Sequence, residues 1–342
     1  MTSLAPRRRL GCSDLSVHPL CLGGNVFGWT ADEAQSFAVL DAYSAAGGNF
    51  VDTADVYSAD GPGSDGGLSE LIIGRWMRRR GRREDVVIAT KVGGRGGLSP
   101  TNIRAGVESS LRRLQVEQID LLYAHMDDRS TPLEDTVAAF GQLVQAGWVR
   151  HVAAANYSVE RLKLALNIAK AGGYATFVAL STQYNLLERR WLREDRFGTE
   201  GFEGRLRDLC IGQDIACLPY WVLAKGVLTG KYGTRGHKVA GPQVSARGAL
   251  IRPEDLDAER SIAVLKVLTD VAREHEVTVA AVATAWTARQ PGVIAPIVSA
   301  RTTSQVSELL SFMHIDFTAA ELSALDAVSS DSADRVVRCD ND

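Results

Sequence analysis

The sequence predicts an α/β fold, a (β/α)8 TIM barrel, and three observations carry that expectation. Short apolar, β-branched runs alternate with longer segments of helical period along almost the whole chain of 342 residues. The short runs are apolar nearly throughout, as strands are when both faces of a sheet are covered. Strands separated by helices must run parallel, and eight such units favour a closed barrel over an open sheet.

The strands are expected at residues 17–23, 49–54, 86–92, 119–125, 149–156, 177–183, 215–221 and 293–299. Helical patterns occupy residues 32–46, 69–79, 100–114, 131–146, 158–171 and 203–211, with two more, 257–274 and 278–289, before the last strand. Pro100 after Ser99 and Pro132 after Thr131 suit first-turn positions, and Ser158 offers an N-cap oxygen. Residues 222–256 are rich in glycine and read as a long loop on the face where barrel enzymes bind ligands. A last helix is expected at 318–328, followed by a frayed tail, and the whole of 1–342 reads as one domain.

A hydrophobic share of 45%, a charged share of 23% and a net charge of −3 give no electrostatic reason to expect nucleic acid or an anionic membrane as partner. The basic run Arg78, Arg79, Arg80, Arg82 and Arg83 reads as a solvated helix end. Five cysteines, Cys12, Cys21, Cys210, Cys217 and Cys339, are odd in number and form no CxxC pair, which argues against a disulfide framework or zinc site. With no signal-like or membrane-spanning apolar run, a cytoplasmic location is expected.

Three consecutive strands end in ionisable residues: Asp52, Lys91 and His125. One such residue would be an ordinary turn residue. Three at the same end of neighbouring parallel strands share one rim, the rim where barrel active sites lie. Tyr57 follows Asp52 in the loop above it. Residues 61–66 formally match GxGxxG but contain Pro62 and do not directly follow a strand, so they read as an insertion at the mouth. Residues 93–97 read as a mobile glycine-rich loop. No tyrosine has a lysine four residues on, which argues against a short-chain dehydrogenase.

The segments GGNFVDTADVY and SELIIG, then ATKVG, DLLYAHMDD, ANYS, STQYNLLER and LAKGVLTGKY, resemble the blocks of the aldo-keto reductase family in order and spacing, from about residue 10 to 325. The resemblance implies a barrel that binds extended NADPH without a Rossmann motif and reduces a small-molecule aldehyde or ketone. Its catalytic tetrad falls on Asp52, Tyr57, Lys91 and His125. Tyrosine, with an ordinary pKa of about 10, is a poor acid; Lys91 beside it is expected to lower that value, and Asp52 to keep Lys91 charged. His125 is expected to point an N–H at the carbonyl oxygen.

The same resemblance places the cofactor on Gly24 and Asn25, near the nicotinamide ribose, and on Asp52. Asn156 and Gln183 fall at the carboxamide and Tyr220 stacks on the ring. Leu223, Gly226 and Lys231 fall over the pyrophosphate, and Trp221 is a further cofactor-binding position. Ser299, Ala300, Arg301, Gln305 and Glu308 fall at the adenosine end, where Arg301 favours NADPH over NADH. Ala155, Trp221–Val222 and Leu309 depart from the family's usual Ser, Ser-Pro and Asn. Trp29, Met126 and Trp221 are candidates for an apolar substrate wall. The family also includes potassium-channel β-subunits, so an NADPH-sensing regulatory subunit is the alternative. A Schiff-base isomerase using Lys91 is disfavoured, because Asp52 would hold that lysine protonated.

Overall fold

Residues 17–23, expected as one strand, divide in two. β1 (Arg8–Arg9) and β2 (Ser16–Val17) form an antiparallel hairpin apart from the main sheet, and β3 (Cys21–Gly23) begins the barrel. A buried turn separates them, in which the His18 and Leu20 N–H groups donate to Asn49 Oδ1 and His18 Nδ1. The chain is known here from a computed structural model that describes residues 6–58, 66–190, 201–232 and 259–330. The 61–65 part of the GxGxxG match, most of the 222–256 loop, Cys339 and the tail lie outside those residues.

The remaining strands are β4 (Phe50–Asp52), β5 (Val87–Val92), β6 (Ile119–Ala124), β7 (Val149–Ala155), β8 (Phe177–Gln183), β9 (Ala216–Tyr220) and β10 (Ile297–Val298). Together with β3 they make eight parallel strands in the order β10-β3-β4-β5-β6-β7-β8-β9. Hydrogen bonds from Cys217 N–H to Gly292 O and from Ile294 N–H to Cys217 O, at 2.9 and 3.0 Å, join β9 to the chain leading into β10 and close the ring. The fold is a (β/α)8 barrel. Only two residues of the expected 293–299 strand keep the ladder, because Pro296 has no N–H to donate.

Helices wrap the outside. In chain order they are α1 (Glu33–Ala45), α2 (Leu68–Arg80), α3 (Pro100–Leu114), α4 (Leu133–Gln145), α5 (Val159–Gly172), α6 (Arg205–Gly212), α7 (Glu259–Glu274), α8 (Val279–Ala288), α9 (Thr303–Leu310) and α10 (Ala319–Ser329). Ser99 and Ser158 cap α3 and α5 through their side-chain oxygens, as their positions predict. Pro132, expected in the first turn of α4, is instead its N-cap residue, and the Thr131 hydroxyl before it donates to Asp128 Oδ2 at 2.7 Å. Arg78, Arg79 and Arg80 occupy the last turn of α2, with Arg79 paired to Asp41.

Alternation by two divides each strand between two cores. Ile88 and Val92 of β5, and Leu122 and Ala124 of β6, face the helices. Val87, Ala89, Leu121 and Tyr123 turn into the barrel with Phe50, Ala153, Ala179 and Leu218. Leu10, Leu15 and Val17 of the hairpin join that inner cluster, so the hairpin is the barrel's floor. Gly11 makes this possible: its φ is +53°, and a Cβ there would stand 2.2 Å from Val178 O. With the floor sealed by apolar side chains, the polar ends of the strands open on the other face.

Leu10 is fully buried in the inner cluster. Leu10→Ala is expected to lower unfolding free energy by about 2–5 kcal/mol, read from urea denaturation with an unchanged slope.

Candidate active site

The inward alternation that sets Ala89 and Leu121 in the core carries Asp52, Lys91 and Tyr123 to the next level, with Lys91 in register beside Tyr123. His125, one step past β6, donates its backbone N–H to Val92 O at 3.0 Å. Tyr57 arrives from the loop after β4, its carbonyl accepting from Gly67 N–H at 3.0 Å. The start of α2 fixes that loop. Thr53 donates to Ser69 and Ser69 to Gly24 O, both at 2.8 Å, while buried Glu70 accepts from Thr90 and Arg113 at 2.6 and 2.7 Å.

Lys91 Nζ is the hub. It donates to both carboxylate oxygens of Asp52 at 2.6 and 2.7 Å, to Thr53 O at 2.9 Å and to Tyr57 Oη at 3.0 Å. It also stands 4.7 Å from the centre of the Tyr57 ring. Burial pulls the Lys91 ammonium down, but Asp52 and Tyr57 outweigh it and hold the group above its ordinary value. Burial pushes the Asp52 carboxyl up, opposed by Lys91.

Tyr57 differs from expectation. Lys91 does draw its pKa down, but burial and the Asp52 charge push harder, and the phenol rises to about 12. Tyr57 is therefore protonated near neutrality, its hydroxyl 3.3 Å from Asp52 Oδ2. Lys91 already donates to the phenol oxygen, a placement that would favour the phenolate over the phenol if the proton left. His125 lies edge-on to Tyr57, ring centroids 6.3 Å apart. Burial, then the Lys91 charge, lower its pKa to about 3, so the ring is neutral.

Two adjoining chambers open at this rim. A smaller one of about 180 Å³ is walled by Lys91, His125, Ala155, Asn156 and Ser181. A cleft of about 410 Å³ runs from it past Leu223, Gly226 and Lys231 to Ser299, Arg301, Gln305 and Glu308. Asn25, Asp52, Tyr57, Tyr220 and Trp221 line both. Asn156, at φ +60°, donates to His125 O at 2.9 Å and accepts from Tyr220 Oη at 2.6 Å. Trp221, at φ +52°, is pinned by Asn185 Nδ2 donating to its carbonyl at 3.0 Å. Ser299 donates to Asn25 at 2.6 Å, and Gln305 accepts from the Arg301 backbone at 2.8 Å at the start of α9.

Other expected residues stand apart. Gly24 is engaged through its backbone with Asp52 and Ser69. Gln183 and Ala300 are buried, and the walls of these chambers are built without them, as without Trp29 and Met126. Ser181, one inward step before Gln183 and in register beside Ala155, lines the smaller chamber with a buried hydroxyl that has no partner among the described residues. The inward alternation from Ala179 is the signal that reaches it. Lys225, Thr229 and Thr278 also line the cleft, and Lys225 Nζ caps the Trp221 ring at 4.4 Å.

Because His125 titrates at about 3 when folded against an ordinary 6.5, the unfolded chain takes up a proton first as pH falls. The stability this neutral ring contributes is present above about pH 6.5 and is lost progressively toward 3. His125→Gln is expected to flatten that part of the stability–pH curve, measured as urea midpoints between pH 7 and 4.

A family model described as the aldo/keto reductase family matches residues 19–330. Among curated proteins the chain is 34% identical over 318 residues to the oxidoreductase YrpG of Bacillus subtilis, covering 90% of each. It is 33% identical to a probable voltage-gated potassium channel subunit beta of Arabidopsis thaliana, covering 88% of this chain and 89% of that one. It is 28% identical to the norsolorinic acid reductase of Emericella nidulans, covering 90% and 77%. No helix among the described residues is long and apolar enough to cross a membrane.

Proposed function

Since this chain belongs to the aldo/keto reductase family and is an oxidoreductase, we propose that it reduces an aldehyde or ketone to the alcohol with NADPH, Tyr57 giving the proton. The observation that carries the reading is the set of contacts at Lys91 Nζ, which joins Asp52 to the Tyr57 hydroxyl beside a neutral His125.

The cleft fits the cofactor. Lys225, Lys231 and Arg301 line it against a single acid, Glu308, apart from Asp52, which is paired with Lys91. That balance suits a ligand carrying several phosphates. Arg301 and the first turn of α9 are the site for a 2′-phosphate, Gly226 and Lys231 for the pyrophosphate, and Asn25 and Ser299 for the ribose. Tyr220 supplies a flat wall for the nicotinamide ring. Asn156 and Gln183 are the partners for its carboxamide, and the Ser181 hydroxyl, without a partner among the described residues, adds to that polar edge. When bound, the nicotinamide supplies the hydride.

The chain's own groups handle the oxygen. His125 donates to the carbonyl oxygen and orients it. Tyr57 releases its proton to the developing alkoxide, and its phenolate remains bonded to Lys91. Asp52 keeps Lys91 charged while this happens, because an unpaired buried ammonium would lose its proton. In the reverse direction the phenolate is the base. The potassium-channel subunits among the relatives favour a second reading, a cofactor-binding regulatory subunit with little turnover.

Tyr57→Phe is expected to lower kcat for a reactive aldehyde such as 4-nitrobenzaldehyde by about 10²-fold or more, followed as NADPH oxidation, with cofactor binding retained. A parent chain that bound NADPH yet turned over no carbonyl in a broad panel would establish the regulatory reading instead. Arg301→Ala is expected to weaken NADPH by about tenfold while leaving NADH nearly unchanged, read from fluorescence titrations; equal losses would refute the 2′-phosphate assignment.

A further inference from the structure

We infer that Gly94 is a positioning residue for His125. Its missing side chain lets the 93–97 loop close on one edge of the imidazole and aim the other edge into the catalytic chamber. The inference rests on the carbonyl-reducing role given to His125 above.

A Cβ built on Gly94 would stand 2.8 Å from His125 Nδ1, and 3.0 and 3.1 Å from the two γ-carbons of Val56. Val56 neighbours Tyr57, so there is little room on either side. Gly94 is not in the left-handed region, unlike Gly93, Gly96 and Gly97. Its glycine identity therefore answers to space and not to backbone conformation.

The loop that carries it is tied down. Gly93 N–H donates to the Asp55 carboxylate, and Leu98 N–H to Asp128 Oδ2 at 2.8 Å. Asn102 Nδ2 donates to Gly96 O. Asp128 in turn accepts from Ser130 and Thr131 at 2.6 and 2.7 Å. These anchors come from β4's loop, α3 and the loop after His125, so the segment cannot lift to admit a side chain without breaking several bonds.

Against that wall His125 Nδ1 is buried and has no hydrogen-bond partner among the described residues. A buried ring nitrogen without a partner is better left as a lone pair than given an N–H, provided the proton can be used on the other nitrogen. Nε2, on the edge left open to the chamber, is the place where a carbonyl oxygen would use it. The clamp thus sets both the direction of the ring and its tautomer. A methyl group at position 94 has to push the ring toward Tyr57 or displace the loop, and a shift of about 1 Å in such a donor costs up to about 10²-fold in rate.

The test uses the full-length protein with NADPH and 4-nitrobenzaldehyde. Gly94→Ala is expected to lower kcat by at least about tenfold while the NADPH dissociation constant changes less than about twofold. In a His125→Gln background the same substitution is expected to cause no further loss. An unchanged kcat, or an equal fractional loss in both backgrounds, overturns the inference. If His125→Gln alone has no effect on turnover, the role assigned to His125 fails instead. Should Gly94→Ala not fold, the tautomer of His125 in the unsubstituted protein, read from ¹⁵N–¹H long-range NMR correlations, decides: Nε2–H supports the clamp, and Nδ1–H overturns it.

Discussion

The buried ion pair between Lys91 and Asp52 is the contact around which the rim is arranged. An ammonium at 4% side-chain exposure and a carboxylate at 1% are costly to remove from water, and each is tolerable only because the other is there. Losing one partner would strand a charge, a cost of about 3–5 kcal/mol, whereas a matched apolar pair would fill the space at little or no cost. A barrel has no structural need for this pair. Its persistence at the one level of the interior that opens to a cleft is what marks the rim as chemical.

The rest of the site follows from making that pair usable. Thr53 O and Tyr57 Oη take the lysine's remaining donor capacity, which ties the phenol directly to the buried charge. Burial keeps Tyr57 protonated, and it also keeps His125 neutral. Several left-handed residues gather along the neighbouring wall. Asn156, Trp221, Ala224 and Lys225 all have positive φ, and each occupies a segment that faces or borders the ligand cleft.

Much of this was legible in the sequence, for definable reasons. Eight parallel strands follow from apolar runs alternating with helical ones, and the co-location of Asp52, Lys91 and His125 follows from their places at strand ends. What escaped depends on distances across the chain. The separation of residues 16–17 from 21–23 hangs on the buried turn through His18 and Asn49, partners 31 residues apart. The sign of the Tyr57 shift depends on burial, which a motif does not report. Ser181 escapes because its place on the chamber wall depends on how far down the strand the chamber reaches. The 93–97 loop reads as mobile from its glycines, yet the anchors at Asp55, Asn102 and Asp128 hold it.

The hairpin floor bears on how the chain is made. Its Arg8 guanidinium donates to Ile294 O at 3.0 Å, a partner 286 residues away, and Gly11 lies against Val178 O and Asp214 O. A ribosome delivers the N-terminus first, at about 5–20 residues per second, so the plug waits many seconds for the strands it must seal. During that interval Leu10, Leu15 and Val17 are apolar surface without a home, and the ring has no bottom. The hairpin therefore cannot complete its native contacts until a residue 286 positions later has been made, and its apolar side chains are exposed until then.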